Sequence, residues 1–396
     1  MNLITTLLYY SNLFQSSKIP SYRRAIYHKI SFNHKLIGLK GAKGVGKTTL
    51  LQQYLHEAEL EITEKVYISL DNPLTGGTRL LSIAEEFQKR GVKLLVVDEI
   101  HYQKNFEQDL KTIYDFFDMQ VVFSGSSAIA LSNADLSRRA LFYDIPILSF
   151  REFLELKLDK RFEPISYETL LSSHSQEAFK IISQIKPLKY FDEYLSFGAY
   201  PFFLEGGEQD YVMKLTTAIN KTLESDLLQL FKIDPQNIAL LKKLLLVMCQ
   251  NAPGEINITS LAREMELNVK TLYNYITALE KGSLIHLLYY NKKGNAIFQK
   301  PDKVLLSNAS LFKILCLSSN RGSIRESFFI SMLYEHDIVY AKKGDFTIDG
   351  KERFEIGGKN KSFKQIKDIP HSFLACDDIE VGDGAKIPLW LFGFLY

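Results

Sequence analysis

The chain has 396 residues, of which 46% are hydrophobic and 24% charged, and its formal net charge is +2. This composition is that of a soluble globular protein, and the charges are too nearly balanced for their total alone to indicate a polyanionic partner. A chain of this length is too long to fold around a single ordinary hydrophobic core, so about two to four domains are expected.

The cysteines and the apolar N-terminal residues provide evidence on the cellular location of the protein. Cys249, Cys316 and Cys376 lie far apart and form no CxxC pair. Such an odd, sparse set argues against a disulfide framework and a zinc site, and it favours a reducing, cytoplasmic location. Residues 1–10 lack the features of a signal peptide, so we predict a helix packed on the body. Because no run of about 18 apolar residues occurs, no membrane span is expected.

Residues 36–147 alternate short apolar runs with helical patterns. The predicted strands are 36–40, 66–70, 94–98, 121–124 and 141–145, and the predicted helices lie near 47–58, 78–90 and 105–117. Strands that alternate with helices indicate a parallel sheet covered on both faces. The expected fold class is therefore α/β, with this sheet in a first domain of residues 1–150.

A phosphate-binding loop follows the first predicted strand. The segment Gly41-Ala42-Lys43-Gly44-Val45-Gly46-Lys47-Thr48 matches the pattern G-x-x-x-x-G-K-[ST] in full. Its glycines allow successive backbone N–H groups to point at phosphate oxygens, while the lysine reaches the β- and γ-phosphates and the threonine hydroxyl binds Mg²⁺. We therefore predict that Gly41, Gly44, Gly46, Lys47, Thr48 and Thr49 bind ATP.

Two carboxylates, Asp98 and Glu99, lie at the C-terminal end of the predicted strand 94–98. We expect Asp98, at its tip, to hold the Mg²⁺ shell together with Thr48, and Glu99 to polarise the attacking water. The strand 121–124 ends in serines, and a polar side chain there would lie near the γ-phosphate if the strand ran between the other two. The sequence does not choose between Ser124 and Ser126. Arg138 and Arg139 are candidates for neutralising charge on the transferring phosphate, as arginine fingers do.

The remaining chain divides into three predicted parts. Residues 151–235 are helical, and residues 236–315 show a helix, a turn at Asn268, a second helix and then two strands, which is the order of a winged helix. In the second helix Lys270, Thr271, Asn274 and Thr277 are predicted to face outward, a composition suited to phosphates and base edges. Protein contact is the alternative for this module. Residues 316–396 form one predicted helix followed by strands.

Several runs together resemble a known family. They are residues 41–49, 96–101, 123–127, 136–139 and 148–154, and the last of these reads Leu-Ser-Phe-Arg-Glu-Phe-Leu. Together they look like a prokaryotic group of AAA+-like ATPases, in which the ATPase domain precedes a winged helix and a domain similar to restriction endonucleases. The resemblance covers nearly the whole chain. It implies a catalytic role for Arg139, which sits where the group has an arginine.

The resemblance also implies a candidate nuclease site in residues 316–396. Nucleases of that fold hold a metal with an acid on one strand and Glu-x-Lys on the next. Asp345 or Asp349 is the first candidate acid, Glu355 the second, and Glu326 a third from the preceding helix. This sequence departs from the pattern, because Gly357 stands at the lysine position and Lys359 comes two residues late. A solvated sheet face is the alternative for these charges.

The sequence therefore predicts an ATP-binding and ATP-hydrolysing switch protein that uses Mg²⁺ and has no membrane partner. Two alternatives remain at this point. One is an ATP-regulated protein that binds or cleaves DNA through its C-terminal domain, and the other is a scaffold that binds ATP and scarcely hydrolyses it. The sequence leaves the oligomeric state open.

Overall fold

The computed structural model describes residues 2–126, 136, 138–250, 258–290, 300–316, 318 and 320–396. Residues 127 and 137, which belong to two of the runs carrying the resemblance, lie outside them. The chain forms two compact units, Met1–Pro146 and Ile147–Tyr396.

Among its described residues, the first unit contains five strands and four α-helices. The strands are β1 (Leu36–Gly41), β2 (Lys65–Ser69), β3 (Leu94–Asp98), β4 (Gln120–Ser126) and β5 (Leu141–Asp144). The helices are α1 (Leu3–Ser16), α2 (Lys47–Glu57), α3 (Leu80–Gln88) and α4 (Phe106–Phe116). These bounds confirm every strand and helix predicted for residues 36–147.

The sheet of the first unit is wholly parallel, with the order β2-β3-β4-β1-β5. All five residues of β3 are buried, as expected for a strand covered on both faces. Since β4 pairs with both β1 and β3, it lies between the strand that leads into the phosphate loop and the strand that ends at Asp98. The predicted α/β class and the intervening position of β4 are confirmed.

The predicted N-terminal helix is present as α1 and packs beside the edge strand β2. Ile4 and Leu7 are buried, the Ser11 hydroxyl accepts a hydrogen bond from the Tyr67 backbone N–H at 2.9 Å, and the Phe14 ring stacks on the Tyr67 ring. The helix therefore covers an edge of the sheet that would otherwise be open.

The second unit contains ten α-helices among the described residues. They are α5 (Phe150–Leu158), α6 (Tyr167–Ile182), α7 (Pro187–Phe197), α8 (Glu208–Lys221), α9 (Leu227–Phe231), α10 (Ile238–Gln250), α11 (Ile258–Glu264), α12 (Val269–Lys281), α13 (Ala309–Leu315) and α14 (Arg321–Met332).

Two sheets complete the second unit. The pair β6 (Ile285–Leu288) and β7 (Lys303–Leu306) is antiparallel. The other sheet contains β8 (Ile338–Tyr340), β9 (Phe346–Ile348), β10 (Glu352–Gly357), β11 (Ser372–Cys376) and β12 (Lys386–Pro388) in the order β12-β11-β10-β9-β8. Its first three strands form an antiparallel meander, whereas β10, β11 and β12 are parallel.

One hydrophobic core runs through most of the second unit. It joins aromatic residues of α5 and α7 to α14, to the C-terminal sheet and to the chain end, where Trp390 and Phe392 are buried. At Gly393 a side chain would collide with Phe150, because an added Cβ would lie 2.4 Å from the Phe150 Cβ. The run 148–154, which carries part of the resemblance, therefore packs against the C-terminal end of the chain. The division into residues 151–235, 236–315 and 316–396 stays a prediction.

The expectation from the cysteine spacing is wrong in one respect. Cys249 and Cys316 form a disulfide with a Cα–Cα distance of 5.4 Å, whereas Cys376 is free and buried. They are 67 residues apart in sequence, and they meet because α10 packs beside α13. Sequence spacing carries no information about such tertiary proximity, so the cysteine count no longer supports a reducing compartment.

No helix in the described part of the chain combines the length and apolar character needed to cross a membrane.

Candidate functional site

The phosphate loop connects β1 to α2, and its backbone has the expected curl. Gly44 and Gly46 adopt left-handed φ angles of 90° and 98°. Gly46 directly precedes α2, so the N-terminus of that helix opens onto the loop. Gly41 is the last residue of β1, and Thr49 lies in the first turn of α2. The predicted phosphate-binding residues are thus contiguous in space.

Lys47 is buried at the first position of α2. Its Nζ atom donates to the carbonyl oxygens of Gly41 at 2.9 Å and Ala42 at 3.1 Å. The ammonium is therefore folded back over the concave side of the loop. Phosphate oxygens are stronger hydrogen-bond acceptors for an ammonium than neutral carbonyl oxygens are.

Thr48 and Asp98 meet across the two halves of the site. The Thr48 hydroxyl donates to Asp98 Oδ2 at 2.7 Å, and the Tyr67 hydroxyl donates to the same oxygen at 3.1 Å. Asp98 Oδ1 accepts from the Ser124 hydroxyl and from the Glu99 backbone N–H. Burial, reinforced by the Asp98 charge, raises the pKa of Tyr67, so its phenol remains a donor.

These donors fit a magnesium ion. A hydroxyl and a carboxylate are the hard oxygen ligands that Mg²⁺ prefers, together with water and substrate phosphates. Because the Thr48 O–H group donates a hydrogen bond to Asp98, the lone pairs of the hydroxyl oxygen can bind a cation. The predicted metal residues, Thr48 and Asp98, are therefore in direct contact.

The two candidate serines differ in their surroundings. Ser124 is fully buried and its hydroxyl is bound to Asp98. Ser126 is the last residue of β4 and is in register with Gly41, where the phosphate loop begins. The strand register therefore favours Ser126 as the polar group beside the phosphate loop.

Glu99 lies beside a residue that the sequence analysis did not single out. Its backbone is left-handed, with φ of 52°, and its Oε2 atom lies 3.4 Å from Nδ1 of His101. The His101 side chain is fully buried, and the Ser126 backbone N–H donates to the same Nδ1 at 3.4 Å. His101 therefore touches both the carboxylate after β3 and the end of β4. The spacing Asp98-Glu99-Ile100-His101 was the available signal.

Arg139 lies beside the last turn of α4, near the N-terminal ends of the strands. Its guanidinium pairs with Asp115 at 2.9 Å and lies over the Tyr114 ring, in the last turn of α4. That turn lies beside the N-terminal strand ends, because Lys35, just before β1, donates to the Tyr114 carbonyl oxygen at 2.5 Å. The phosphate loop follows the C-terminal end of β1, about 16 Å away along this six-residue strand. A catalytic role for Arg139 would therefore have to be exerted on another copy of the chain.

A second cluster of charges lies in the C-terminal sheet. Glu326 on α14 pairs with Lys303 of β7 at 2.5 Å, and Glu355 on β10 pairs with Lys361. Lys303, Glu326 and Glu355 are buried. Burial raises the pKa of Glu326 to about 7 although Lys303 opposes the shift, and burial also raises the pKa of Glu355. Each buried carboxylate is thus already partnered by a lysine.

The structure distinguishes among the candidates named for this cluster. Asp345 accepts a hydrogen bond from the Ile356 backbone N–H at 2.7 Å, and its charge acts on both Glu326 and Glu355. Asp349 instead pairs with His336 at 2.6 Å. Lys359 is exposed just beyond the end of β10, and the ammonium that reaches Glu355 belongs to Lys361.

Gly357 explains how Lys361 reaches that carboxylate. A Cβ added at residue 357 would lie 2.6 Å from Cγ and Cδ of Lys361. The lysine stem therefore occupies the space that a side chain at position 357 would fill. The expected Glu-x-Lys pattern is absent from the sequence, but an ammonium still enters beside Glu355. Sequence reasoning missed Lys361 because it comes from beyond the strand.

Across the described ranges, no group of three His, Cys, Asp or Glu side chains is arranged to hold a metal ion. In the C-terminal cluster the ammonium groups of Lys303 and Lys361 lie against the buried carboxylates.

Three of the four predicted outward residues of α12 line a concave surface. Lys270, Asn274 and Thr277 border a cavity of about 1130 Å³ whose other wall includes Phe231 and Lys232. The following pair of strands is tied to the C-terminal sheet, because the Tyr340 backbone N–H donates to the Tyr289 carbonyl oxygen at 3.0 Å. The order of helices and strands predicted for residues 258–306 is confirmed, whereas its use as a nucleic-acid-binding winged helix stays a prediction.

Comparisons with known proteins support the assignment of the first unit. Residues 33–154 match the family model of an AAA domain, and residues 188–321 match a domain of unknown function, DUF8612. The uncharacterized protein MJ1637 of Methanocaldococcus jannaschii is 28% identical over 387 residues, which cover 89% of this chain and 82% of that protein.

Two solved structures share a more distant similarity. AMPPCP-bound DnaA from Aquifex aeolicus is 15% identical with a TM-score of 0.26, over 64% of this chain and 84% of that chain. Domain III of DnaA from Thermotoga maritima is 18% identical with a TM-score of 0.25, over 52% and 96%. Both TM-scores are below 0.5, so the assignment rests on the parallel sheet, the phosphate loop and the family match. Residues 33–154 are similar to an AAA domain, and the first unit has the parallel α/β fold of P-loop ATPases.

Proposed function

We propose that the AAA-type domain binds Mg·ATP, hydrolyses it and thereby works as a nucleotide-driven switch. The observation that carries this proposal is the 2.7 Å hydrogen bond between Thr48 and Asp98. It joins the phosphate loop to the acidic strand end, so the two proposed halves of a nucleotide site are in direct contact.

The roles of the residues follow from their positions. Backbone N–H groups of the loop and of the α2 N-terminus would bind the phosphates, and the Lys47 ammonium would exchange its carbonyl partners for β- and γ-phosphate oxygens. Thr48 and Asp98 would hold Mg²⁺, which supplies positive charge that neutralises the phosphate oxygens when bound. Ser126 would lie near the γ-phosphate.

Glu99 is the proposed general base. It would orient a water molecule and take its proton while the water oxygen bonds to the γ-phosphorus and the bond to the bridging β–γ oxygen breaks, giving ADP and inorganic phosphate. His101 would act as a positioning residue, since its buried ring contacts the Glu99 carboxylate. Contact with the end of β4 would let His101 relate the orientation of Glu99 to the occupancy of the phosphate site.

Isothermal titration calorimetry with Mg·ATP tests the proposal. We expect the wild-type chain to bind, and Lys47→Ala to bind at least about tenfold more weakly, because a charge-assisted contact to phosphate is lost. Lys89→Ala is a matched control, as Lys89 is an exposed lysine paired with Glu86 on α3. Equal binding by the wild type and Lys47→Ala would overturn the proposal.

A second candidate function, metal-dependent DNA cleavage, is favoured by one observation. The stem of Lys361 passes over Gly357 and delivers an ammonium to Glu355, as a Glu-x-Lys lysine would do. Against it, both buried glutamates are already neutralised by lysines.

Nicking of supercoiled plasmid in Mg²⁺ or Mn²⁺ separates these possibilities. Cleavage that is lost in Glu355→Gln but kept in the exposed-site control Glu380→Gln would support the nuclease. No cleavage by the wild type would remove it.

A further inference from the structure

Four exposed lysines surround a small cavity on the C-terminal sheet. Lys342 and Lys343 lie in the turn between β8 and β9, whereas Lys364 and Lys367 lie in the segment between β10 and β11. Together with Gln365, Asp368 and Ile369 they line a cavity of about 350 Å³. We call this site the lysine pocket.

The segment between β10 and β11 places its lysines outward because its apolar residues recur every third position. Phe363, Ile366 and Ile369 pack with Leu374 and Cys376 of β11 in a small hydrophobic cluster. Lys364 and Lys367 each follow one of these apolar residues and are exposed. The local fold therefore anchors the segment from below and presents its charges to solvent.

Gly344 brings the other two lysines to the same place. Its φ is +80°, and an added Cβ would lie 3.0 Å from both Ile366 Cγ2 and the Phe354 carbonyl oxygen. The turn therefore closes directly onto Ile366, which only a residue without a side chain permits. Arg353 ties the turn down by donating to the Lys343 carbonyl oxygen at 2.6 Å. The pocket is thus a built feature of the fold.

The lysine pocket differs in charge balance from its surroundings. Nearby, Lys351 pairs with Glu352 and Lys361 with Glu355. The four pocket lysines have no ion pair with a carboxylate in the part of the chain that the structure describes, and Asp368 is the acidic residue among the lining residues. Lys342 lies 4.7 Å from the centroid of the Tyr290 ring, which orients it without neutralising it. Four cations face one anion here.

We propose that the lysine pocket binds the phosphodiester backbone of nucleic acid. Ammonium groups on flexible stems bind phosphates as point charges without reading sequence, and a concave positive surface raises the local concentration of a polyanion. A lipid surface is a poorer fit, since Ile369 is the apolar residue lining the pocket and it is half-buried. The inference rests on charge and shape, and it holds whether or not Glu355 takes part in cleavage.

Fluorescence anisotropy tests this with the full chain, without nucleotide, and a labelled 20-base-pair DNA duplex of mixed sequence. The variant Lys343→Gln, Lys364→Gln, Lys367→Gln leaves Lys342 on its ring. Its matched control is Lys160→Gln, Lys186→Gln, Lys189→Gln, which removes the same charge from a second cavity of about 340 Å³.

We expect the pocket variant to bind at least about tenfold more weakly in 100 mM salt, and the slope of log affinity against log salt to fall by about 2–3. The control should stay within about twofold. An unchanged thermal midpoint shows that the pocket variant is folded. If it is not, the single variant Lys364→Gln should weaken binding by about threefold and lower the slope by about 1.

Three results would overturn the proposal: no duplex binding by the wild type, equal losses in the two triple variants, or equal displacement of the duplex by polyglutamate of the same charge. Loss of binding to phosphatidylserine vesicles with duplex binding unchanged would also overturn it, in favour of lipid. Because the assay contains no nucleotide, none of these outcomes bears on ATP binding by the phosphate loop.

Discussion

The phosphate loop of the first unit and the charged cluster of the second use lysine in opposite ways. Lys47 donates hydrogen bonds to two neutral carbonyl oxygens of its own loop. Lys303 and Lys361 form ion pairs with the buried residues Glu326 and Glu355 of the same unit. The first arrangement places an ammonium on backbone carbonyl oxygens, whereas the second pairs ammonium groups with carboxylates. Substitutions should therefore affect chemistry in the first region and stability in the second.

The largest expected effect is on ATP turnover. Glu99→Gln should lower the turnover rate by about 100- to 1000-fold, because the amide cannot accept the proton of the attacking water. Mg·ATP affinity should stay within about threefold. Steady-state phosphate release and calorimetry measure the two quantities, with Glu86→Gln, an exposed glutamate on α3, as the control. Equal turnover by Glu99→Gln and the wild type would indicate a scaffold that scarcely hydrolyses ATP.

The next effect is on the stability of the second unit. Lys361→Met removes the ammonium that partners the buried Glu355 carboxylate, and we expect the free energy of unfolding at pH 8 to fall by about 3 kcal/mol. Trp390, the only tryptophan, is buried in this unit, so its fluorescence during urea unfolding reports the change. Lys359→Met, an exposed lysine two residues away, should cost less than about 0.5 kcal/mol.

The pairing of Glu355 with Lys361 also predicts a rescue. Adding Glu355→Gln to Lys361→Met should recover part of the lost stability, because a neutral amide is less costly to bury than an unpaired carboxylate. Strictly additive losses would contradict the pairing.

Glu326 should make the same unit less stable as the pH rises. Its pKa is raised from 4.5 to about 7 in the folded chain, so below pH 4.5 both folded and unfolded forms carry the proton and the stability is complete. As the pH rises through this window the unfolded form releases its proton first, and stability falls by about 3 kcal/mol by pH 7. Urea unfolding followed by Trp390 fluorescence should show this fall, and Glu326→Gln should abolish it. An identical pH dependence in the variant would refute the assignment.

The first unit could be predicted closely from the sequence because its signals are local. Strand and helix periodicity gave bounds within about two residues, and the phosphate loop is one contiguous segment. His101 was missed because its role depends on β3 and β4 lying side by side. In the second unit the informative contacts are tertiary. Lys361 reaches Glu355 from beyond the strand, and Cys249 meets Cys316 across 67 residues.

The smallest effect is expected at Arg139, whose catalytic role remains a prediction. Its half-exposed ion pair with Asp115 should contribute less than about 1 kcal/mol to stability. Arg139→Ala should leave Mg·ATP affinity within about twofold. The guanidinium lies near the N-terminal ends of the strands, whereas the phosphate loop of the same chain follows the C-terminal end of β1. If turnover falls while binding is kept, mixing with Lys47→Ala, which retains Arg139, should restore part of the activity. A tenfold loss of affinity would instead mean that Arg139 reaches the nucleotide within its own chain, contrary to its contacts with α4.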